Sequence, residues 1–279
     1  MTTTTRKYEI FRDLHTRPGA FVIPNPWNAG TAMMLGSLGF EALATTSAGL
    51  AFSIGQRDSQ GAISREQILA NAKEIVMASD LPVSGDLENG FGAAPKSCEE
   101  TIKQAMDIGL VGGCIEDTTG DPENPIYDFD LSVDRMRAAA QACKDQPFLL
   151  TARAENFING RPDLDDTIAR LQAFSDAGAD VLYAPGLPDL QSIATLCREV
   201  DKPVNVVMGL SGPTWSLAEL ANAGVKRVSV GGSFARVALG AMMRAAREVR
   251  DHGSFTYAKE AIGDSEAANL MAPPPKHRG

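Results

Sequence analysis

In Pro82-Val83-Ser84-Gly85-Asp86-Leu87-Glu88-Asn89-Gly90-Phe91-Gly92 an apolar run stops at two carboxylates and passes straight into glycines. Pro82 and Val83 open a strand, so Asp86 falls where a buried strand emerges into a loop. On an extended backbone alternate side chains share a face, and the spacing of Asp86 and Glu88 places both carboxylates on one side. Adjacent carboxylates repel each other unless something positive neutralises them. Magnesium does this with one or two carboxylates, because it takes hard oxygen ligands and keeps several waters. A solvated acid pair ahead of a glycine turn is the plainer reading of the same residues.

The same passage from strand to loop recurs on both sides. Strand-like runs cover Phe21 to Pro24, Ala42 to Thr46, Pro82 to Asp86, Gly113 to Glu116, Phe148 to Ala152, Val181 to Ala184, Val204 to Val207 and Val228 to Val230. They are short and largely free of charge, which suits strands buried on both faces. Helix-like segments separate them. Ser64 with Gln67, and Ser97 with Glu100, have the spacing of capping boxes. Gly39, Gly109, Gly178 and Gly224 stand where a left-handed residue closes a helix. Eight βα units without a linker predict one (β/α)8 TIM barrel over residues 1–279, with its core at about 18–250 and a C-terminal helix and tail at 251–279. An open doubly wound sheet is the alternative, but Pro24-Asn25-Pro26-Trp27-Asn28-Ala29-Gly30 has no resemblance to the GxGxxG turn that such sheets carry after their first strand.

A short helix over Arg6 to Thr16, ended by Pro18-Gly19, precedes the barrel. Ser233 to Arg250 is rich in Ala and Met and too apolar to lie alone on a surface, so it is expected to be buried, whether in this chain or against another subunit. After about Gly263 the chain reads as a poorly ordered tail, and Pro273-Pro274-Pro275-Lys276 cannot continue a helix.

The totals narrow the function classes. A chain of 279 residues with 44% hydrophobic and 22% charged residues buries a sizeable core as an ordinary globular protein does. The net charge is -9, with Lys and Arg scattered, which argues against nucleic acid or an anionic membrane as partner. Cys98, Cys114, Cys143 and Cys197 are far apart and form no CxxC pair, as expected of thiols in a reducing compartment. Residues 1–7 lack an apolar signal core, and no apolar run has membrane-spanning length. The expected location is the cytoplasm.

In such a barrel the functional side chains stand at the carboxyl ends of the strands. The second strand leads into Thr45-Thr46-Ser47-Ala48-Gly49-Leu50, whose backbone N–H groups are placed to meet a ligand carboxylate, unless the small residues only serve a tight turn. Asp58 follows in the next loop. Asp86 and Glu88 end the third strand, Glu116-Asp117 the fourth, and Arg153-Ala154-Glu155-Asn156 the fifth. Asp58, Asp86, Glu88 and Glu116 therefore converge on one face, an arrangement untenable without a divalent cation. Arg153 is suited to a bidentate contact with a substrate carboxylate. His15, His252 and His277 lie outside the strand ends, which argues against a His-dependent nucleophile or a His-ligated zinc site.

Thr46-Ser47-Ala48-Gly49-Leu50, Arg57-Asp58, Gly85-Asp86-Leu87-Glu88-Asn89-Gly90-Phe91-Gly92, Ile115-Glu116-Asp117 and Ala152-Arg153 together resemble the isocitrate lyase and phosphoenolpyruvate mutase superfamily, in order from about Phe21 to Arg250. The resemblance implies a barrel whose C-terminal helix is swapped between subunits of a homodimer or homotetramer. It implies Mg2+, with Mn2+ as the substitute ion, held directly by Asp86 and mainly through water by Asp58, Glu88 and Glu116. It further implies that Ser47, Ala48, Gly49 and Leu50 bind the carboxylate of a small-molecule substrate, and that Arg153 steadies the enolate or transferring group. Arg153, Asp58 and Glu116 are thus the expected catalytic residues.

The departures bear on the reaction. Isocitrate and methylisocitrate lyases carry a Lys-Lys/Arg-Cys-Gly-His loop after the fourth strand, and the mutases a Lys-rich one. Here Asp117 to Asp128 contains no Cys, His or Lys. Cys114 lies on the strand before the loop and does not replace the missing thiol. Within the loop, Glu123, Asn124 and Tyr127 are candidates for closing over a substrate or for shaping the turn. The resulting expectation is a Mg2+-dependent lyase that cleaves a C–C bond of a small 2-oxo or 2-hydroxy acid, like oxaloacetate or a substituted malate, through an enolate-like intermediate. The alternatives are phosphorus–carbon chemistry of the phosphoenolpyruvate mutase, carboxyvinyl-carboxyphosphonate phosphorylmutase or phosphonopyruvate hydrolase type, and a non-catalytic metabolite-binding barrel. Gly231-Gly232-Ser233, although similar to a phosphate cradle, reads as tight packing at the start of the last long helix.

Overall fold

The computed structural model describes residues 3–58 and 61–272. Eight parallel strands form one sheet in the order β1-β8-β7-β6-β5-β4-β3-β2. They are β1 (Phe21–Ile23), β2 (Leu43–Ala44), β3 (Val83–Asp86), β4 (Gly112–Glu116), β5 (Leu149–Arg153), β6 (Val181–Tyr183), β7 (Val204–Val207) and β8 (Arg227–Ser229). The remaining seam, between β1 and β2, is bridged by Ala44 N donating to Pro24 O at 3.0 Å. The Asn25 side chain strengthens it, donating to Thr45 O at 2.8 Å and accepting from the amides of Val230 and Gly231 at 2.9 Å. The predicted (β/α)8 barrel is therefore the observed fold, nearly closed.

Helices alternate with the strands: α1 (Thr3–Thr16), α2 (Ala29–Ser37), α3 (Ser47–Ser53), α4 (Arg65–Ala78), α5 (Pro95–Asp107), α6 (Phe129–Cys143), α7 (Leu164–Asp176), α8 (Leu190–Glu199), α9 (Leu217–Asn222), α10 (Ser233–His252) and α11 (Asp264–Leu270). The main core lies between strands and helices, with Leu43, Ile75, Ile102, Leu150, Phe174 and Leu182 fully buried. A second cluster closes the amino end of the barrel, where Phe11 and Leu14 of α1 pack on Phe21, Ile23 and Leu149. Glycine is required on β4: a Cβ on Gly113 would lie 2.7 Å from Leu87 Cδ1, and one on Gly112 would lie 2.8 Å from Phe11 Cε1.

The punctuation is met in part. Gly39, Gly109, Gly178 and Gly224 all have positive φ, as helix-closing residues should. Ser64 and Gln67 form the expected capping box. Ser97 and Glu100 do not, because α5 starts earlier, at Pro95 behind Ala94. Proline's fixed φ and missing N–H suit the first helical position and move Ser97 inside the helix.

One expectation at the C-terminus is corrected. Asp264 to Leu270, expected to lie in a poorly ordered tail, form α11. Its first turn carries Asp264 and Glu266, whose charges favour a helix N-terminus. Pro273-Pro274-Pro275-Lys276 lies outside the described residues. The burial expected of α10 is not met within one chain, where Ser233 and Ala235 alone are buried and Val237 is 67% exposed. No helix among the described residues is long and apolar enough to cross a membrane.

Candidate active site

At the carboxyl ends of the strands lies a cavity of about 750 Å³ whose lining includes Ser47, Ala48, Asp58, Asp86, Glu88, Glu116 and Arg153. All four predicted acids and the predicted arginine are thus brought to one space. Gly49 and Leu50 are not among its lining residues. Gly49 is buried where a Cβ would come within 2.8 Å of Trp27 Cβ, and Leu50 belongs to the hydrophobic core.

Asp86 is fixed from two sides: its Oδ2 accepts from Ser47 N at 2.8 Å, and its own amide donates to Thr45 Oγ1 at 2.8 Å. The backbone then continues along β4, with Leu87 N donating to Cys114 O at 3.2 Å and Glu116 N to Glu88 O at 2.9 Å. The extended spacing inferred for Asp86 and Glu88 is corrected here, because the strand ends at Asp86 and Glu88 has φ 47. A non-glycine residue in the left-handed region costs on the order of 1 kcal/mol or more, and such strain recurs at functional sites. Both carboxylates nevertheless face the cavity.

The electrostatics are lopsided. Among the described lining residues, Asp58, Asp86, Glu88, Glu116, Asp121 and Glu155 are acidic, against the basic Arg153 and Arg236. Burial, and then the charge of Asp86, pushes the Glu88 carboxyl up to about 7. The same two causes raise Asp58, which stands at the rim with one side toward solvent. Glu116 is buried and rises well above the usual carboxylate range, although Arg153 Nη1 stands 2.9 Å from its Oε1. Arg153 also pairs through Nε with Glu155. Burial disfavours the guanidinium's charge, but Glu116 and Glu155 outweigh it and hold Arg153 protonated. One guanidinium between two buried carboxylates leaves an excess of negative charge.

This excess is the reason a cation fits. Asp86 Oδ1 and Glu88 Oε2 are buried without a hydrogen-bond partner among the described residues, a costly condition unless something positive or a water meets them. No group of three or more His, Cys, Asp or Glu side chains among the described residues is gathered to hold an ion directly. A hydrated hard cation that takes one or two carboxylates and keeps several waters is the kind this donor set suits.

The segment 117–128 is a pinned hairpin. Thr118 and Ile126 form an antiparallel bridge, and Tyr127 N donates to Asp117 O at 2.8 Å. Asp117 is buried and ion-paired to Arg170 Nη1 at 3.0 Å, and Arg170 Nη1 also donates to Tyr127 O at 3.0 Å. Thr118, Gly120, Asp121, Pro122 and Pro125 face the cavity, whereas Glu123, Asn124 and Tyr127 are not part of its lining. The Tyr127 ring lies 4.1 Å from the Arg135 guanidinium. Cys114 pairs with Asp86 in the ladder, and burial raises its thiol far above the usual range, so it is not a ready nucleophile.

Residues the sequence reading did not select also line the cavity: Glu155, Asn159, Tyr183, Ser211 and Arg236. Glu155 was within reach of period-two reasoning, because it stands two residues beyond Arg153. The Tyr183 ring lies 4.9 Å from the Arg153 guanidinium.

A parallel eight-stranded barrel with an acidic, arginine-bearing cavity at its carboxyl end has the architecture of a TIM-barrel enzyme. The sequence profile of a family described as phosphoenolpyruvate phosphomutase matches residues 11–250. The chain belongs to this family, within the isocitrate lyase and phosphoenolpyruvate mutase superfamily of lyases and mutases. A Burkholderia cenocepacia J2315 protein, provisionally described as a lyase/mutase, has a solved structure that is 57% identical, with TM-score 0.95 and 98% of each chain covered. The 2-methylisocitrate lyase of Escherichia coli K12 is 28% identical over 78% of this chain and 75% of its own length. The structure of a 2,3-dimethylmalate lyase is 26% identical, with TM-score 0.85, covering 98% of this chain and 95% of that one.

Proposed function

We propose that the protein is a Mg2+-dependent carbon–carbon lyase acting on a small 2-oxo or 2-hydroxy carboxylic acid of the oxaloacetate or substituted-malate kind. The observation that carries this reading is the unpartnered Asp86 Oδ1 and Glu88 Oε2 beside the charged Arg153 in one cavity. Likeness to 2-methylisocitrate lyase and 2,3-dimethylmalate lyase supports C–C cleavage as the bond change.

Asp86 would hold the ion directly, with Asp58, Glu88 and Glu116 holding its waters; Mn2+ would substitute. When bound, the ion supplies fixed positive charge next to the oxygen on which negative charge develops. The Ser47 and Ala48 side of the cavity would receive the substrate carboxylate. In a malate-like substrate the hydroxyl on carbon 2 gives its proton to a carboxylate of the cavity and its oxygen becomes a carbonyl as the bond between carbons 2 and 3 breaks; the bonding pair passes to carbon 3 as the enolate of the departing acid, which then takes a proton from solvent. Arg153, held protonated and fixed between Glu116 and Glu155, presents a preorganised charge to that enolate. The pinned 117–128 hairpin keeps water from the face it covers.

The family description favours phosphorus–carbon chemistry as the second reading. Against it, none of the hairpin residues facing the cavity is a Lys or Arg that would hold a transferring phosphoryl group. The test is to assay purified protein with oxaloacetate and substituted malates, with and without magnesium. Magnesium-dependent release of a 2-oxo acid or oxalate is expected. Absent or metal-independent turnover overturns the proposal, and a phosphonopyruvate reaction seen by phosphorus NMR installs the second reading.

A further inference from the structure

Beside the main cavity lies a second chamber of about 350 Å³. Both spaces are lined by Arg153, Ile158, Tyr183, Val207, Leu210 and Ser211, so the chamber opens off the site on the Arg153 side. Its chemistry differs. The main cavity is ringed by acids, whereas Arg153 is the one charged residue among the described residues lining the chamber. The walls beyond that junction come from β7 and from the segments after β6 and β7, with Leu187, Ile193, Val206, Met208, Pro213 and Trp215. Leu187, Ile193 and Val206 are each less than 8% exposed and belong to the core, so this side of the chamber is rigid. Ile158 and Leu210, by contrast, stand 50% and 40% exposed at the shared rim.

We infer that the chamber receives an apolar hydrocarbon arm on carbon 2 of a substituted malate, beside the two carboxylates that the cleavage needs, and that the enzyme selects apolar arms over arms that end in a further carboxylate. The inference rests on the proposed 2-oxo or 2-hydroxy acid chemistry and deepens it by naming the substituent. A carboxylate pushed among these side chains would lose its water and meet only the already paired Arg153 and the neutral donors of Tyr183, Ser211 and Trp215, with no free positive charge to offset the penalty. A methylene chain gains instead, because each CH2 removed from water tightens binding by roughly fourfold. An apolar recess with a few polar groups at its mouth is the usual form of a specificity pocket.

The test measures binding rather than turnover. Pyruvate, 2-oxobutyrate, 2-oxovalerate, 2-oxohexanoate and 2-oxoglutarate are titrated into the full-length protein in magnesium buffer, followed by calorimetry or ligand-observed NMR. Affinity is expected to rise severalfold with each added methylene, with 2-oxovalerate bound at least about tenfold more tightly than 2-oxoglutarate. Ser211→Trp, which fills the mouth from an exposed loop, and Leu210→Asp, which puts a charge there, should each flatten the chain-length series. Melting curves on both variants report whether they are folded, and the wild-type series stands as a test without them. Equal affinity along the series, or preference for 2-oxoglutarate, overturns this inference and leaves the function proposal intact. Failure of every acid to bind overturns both.

Discussion

The backbone amide of Ser47 donates to Asp86 Oδ2 at 2.8 Å, so the segment after β2 holds the carboxylate at the end of β3 and leaves its other oxygen buried without a partner among the described residues. Asp86→Asn keeps an oxygen for Ser47 but removes the charge. We expect turnover to fall by about a hundredfold or more, the scale of losing one electrostatic contact in a preorganised site. The fold should not suffer, because the change also relieves repulsion with Glu88 and Asp58. Magnesium should stabilise the wild-type protein, by about 2.7 kcal/mol at a hundredfold excess over its Kd, and should leave Asp86→Asn unmoved. Melting curves with and without the ion decide the matter, and an equal shift in both proteins would remove Asp86 from the metal.

The amino end of the barrel carries the clearest pH dependence. His15 sits edge-on between the rings of Phe11 and Phe21. Its Nε2 lies 3.3 Å from Arg227 Nη1, which can only donate, so the ring proton is on Nδ1 and is donated to Phe11 O at 2.7 Å. Burial first, and then the Arg227 charge, pushes the imidazole down to about 3. A group whose folded pKa is depressed contributes stability that is complete above its unfolded value of about 6.5 and is lost as pH falls toward the folded value. Urea midpoints should therefore drop between pH 6.5 and 3, with His15 contributing up to about 1.4 kcal/mol per pH unit. His15→Gln should remove that part of the slope; an unchanged slope would show that His15 is not the group responsible.

Arg170 joins three elements, pairing with Asp117 after β4 and with Asp166 on its own helix, and donating to Tyr127 O and Ser132 Oγ. Arg170→Leu leaves the buried Asp117 carboxylate without its ion-pair partner, and removing one member of such a pair costs about 3–5 kcal/mol. The double change Arg170→Leu with Asp117→Leu should recover part of that loss, since no charge then remains buried alone. Chemical denaturation of the three proteins measures the coupling. Turnover should fall in the single variant beyond what stability explains, because the hairpin over the cavity is pinned at this point.

The barrel was legible because its signals are local and repeated: charge-free runs of strand length, glycines closing the helices at positive φ, and no linker between units. The strand ends followed from the same rhythm, which is why Asp86, Glu116 and Arg153 were placed on one rim. What sequence missed depends on contacts between distant segments. Glu155 was visible as an acid after β5, but its pairing with Arg153 is a matter of side-chain reach. The chamber walls gather residues from after β5, β6 and β7, and nothing in Leu187 or Trp215 alone marks them as neighbours of Arg153. The Ser97 box failed because Pro95 competed for the helix start. Helix Asp264–Leu270 was hidden because seven residues are too few to show a helical repeat, and the prolines that follow mark the region as one that cannot continue a helix.

The outer face of α10 leads to the remaining prediction. Val237 is 67% exposed, Met242 59%, Met243 45%, Leu239 38% and Phe234 37%, a run of large apolar side chains that one chain leaves in water. Burying each such side chain is worth roughly 1.5–3 kcal/mol, so a second copy seated on this helix would gain enough for a stable dimer. We propose that the chain forms a homodimer or homotetramer through this face, with exchange of the C-terminal helix as the arrangement to be tested. The double variant Val237→Glu, Met242→Glu should sediment as a monomer while keeping the far-UV circular dichroism of the barrel. Activity should fall with it, because Arg236 lies on the same helix and lines the cavity, and its placement would loosen once the helix loses its cover. A wild-type protein that sediments as a monomer at micromolar concentration, or a double variant that stays associated, would show that the face serves another purpose.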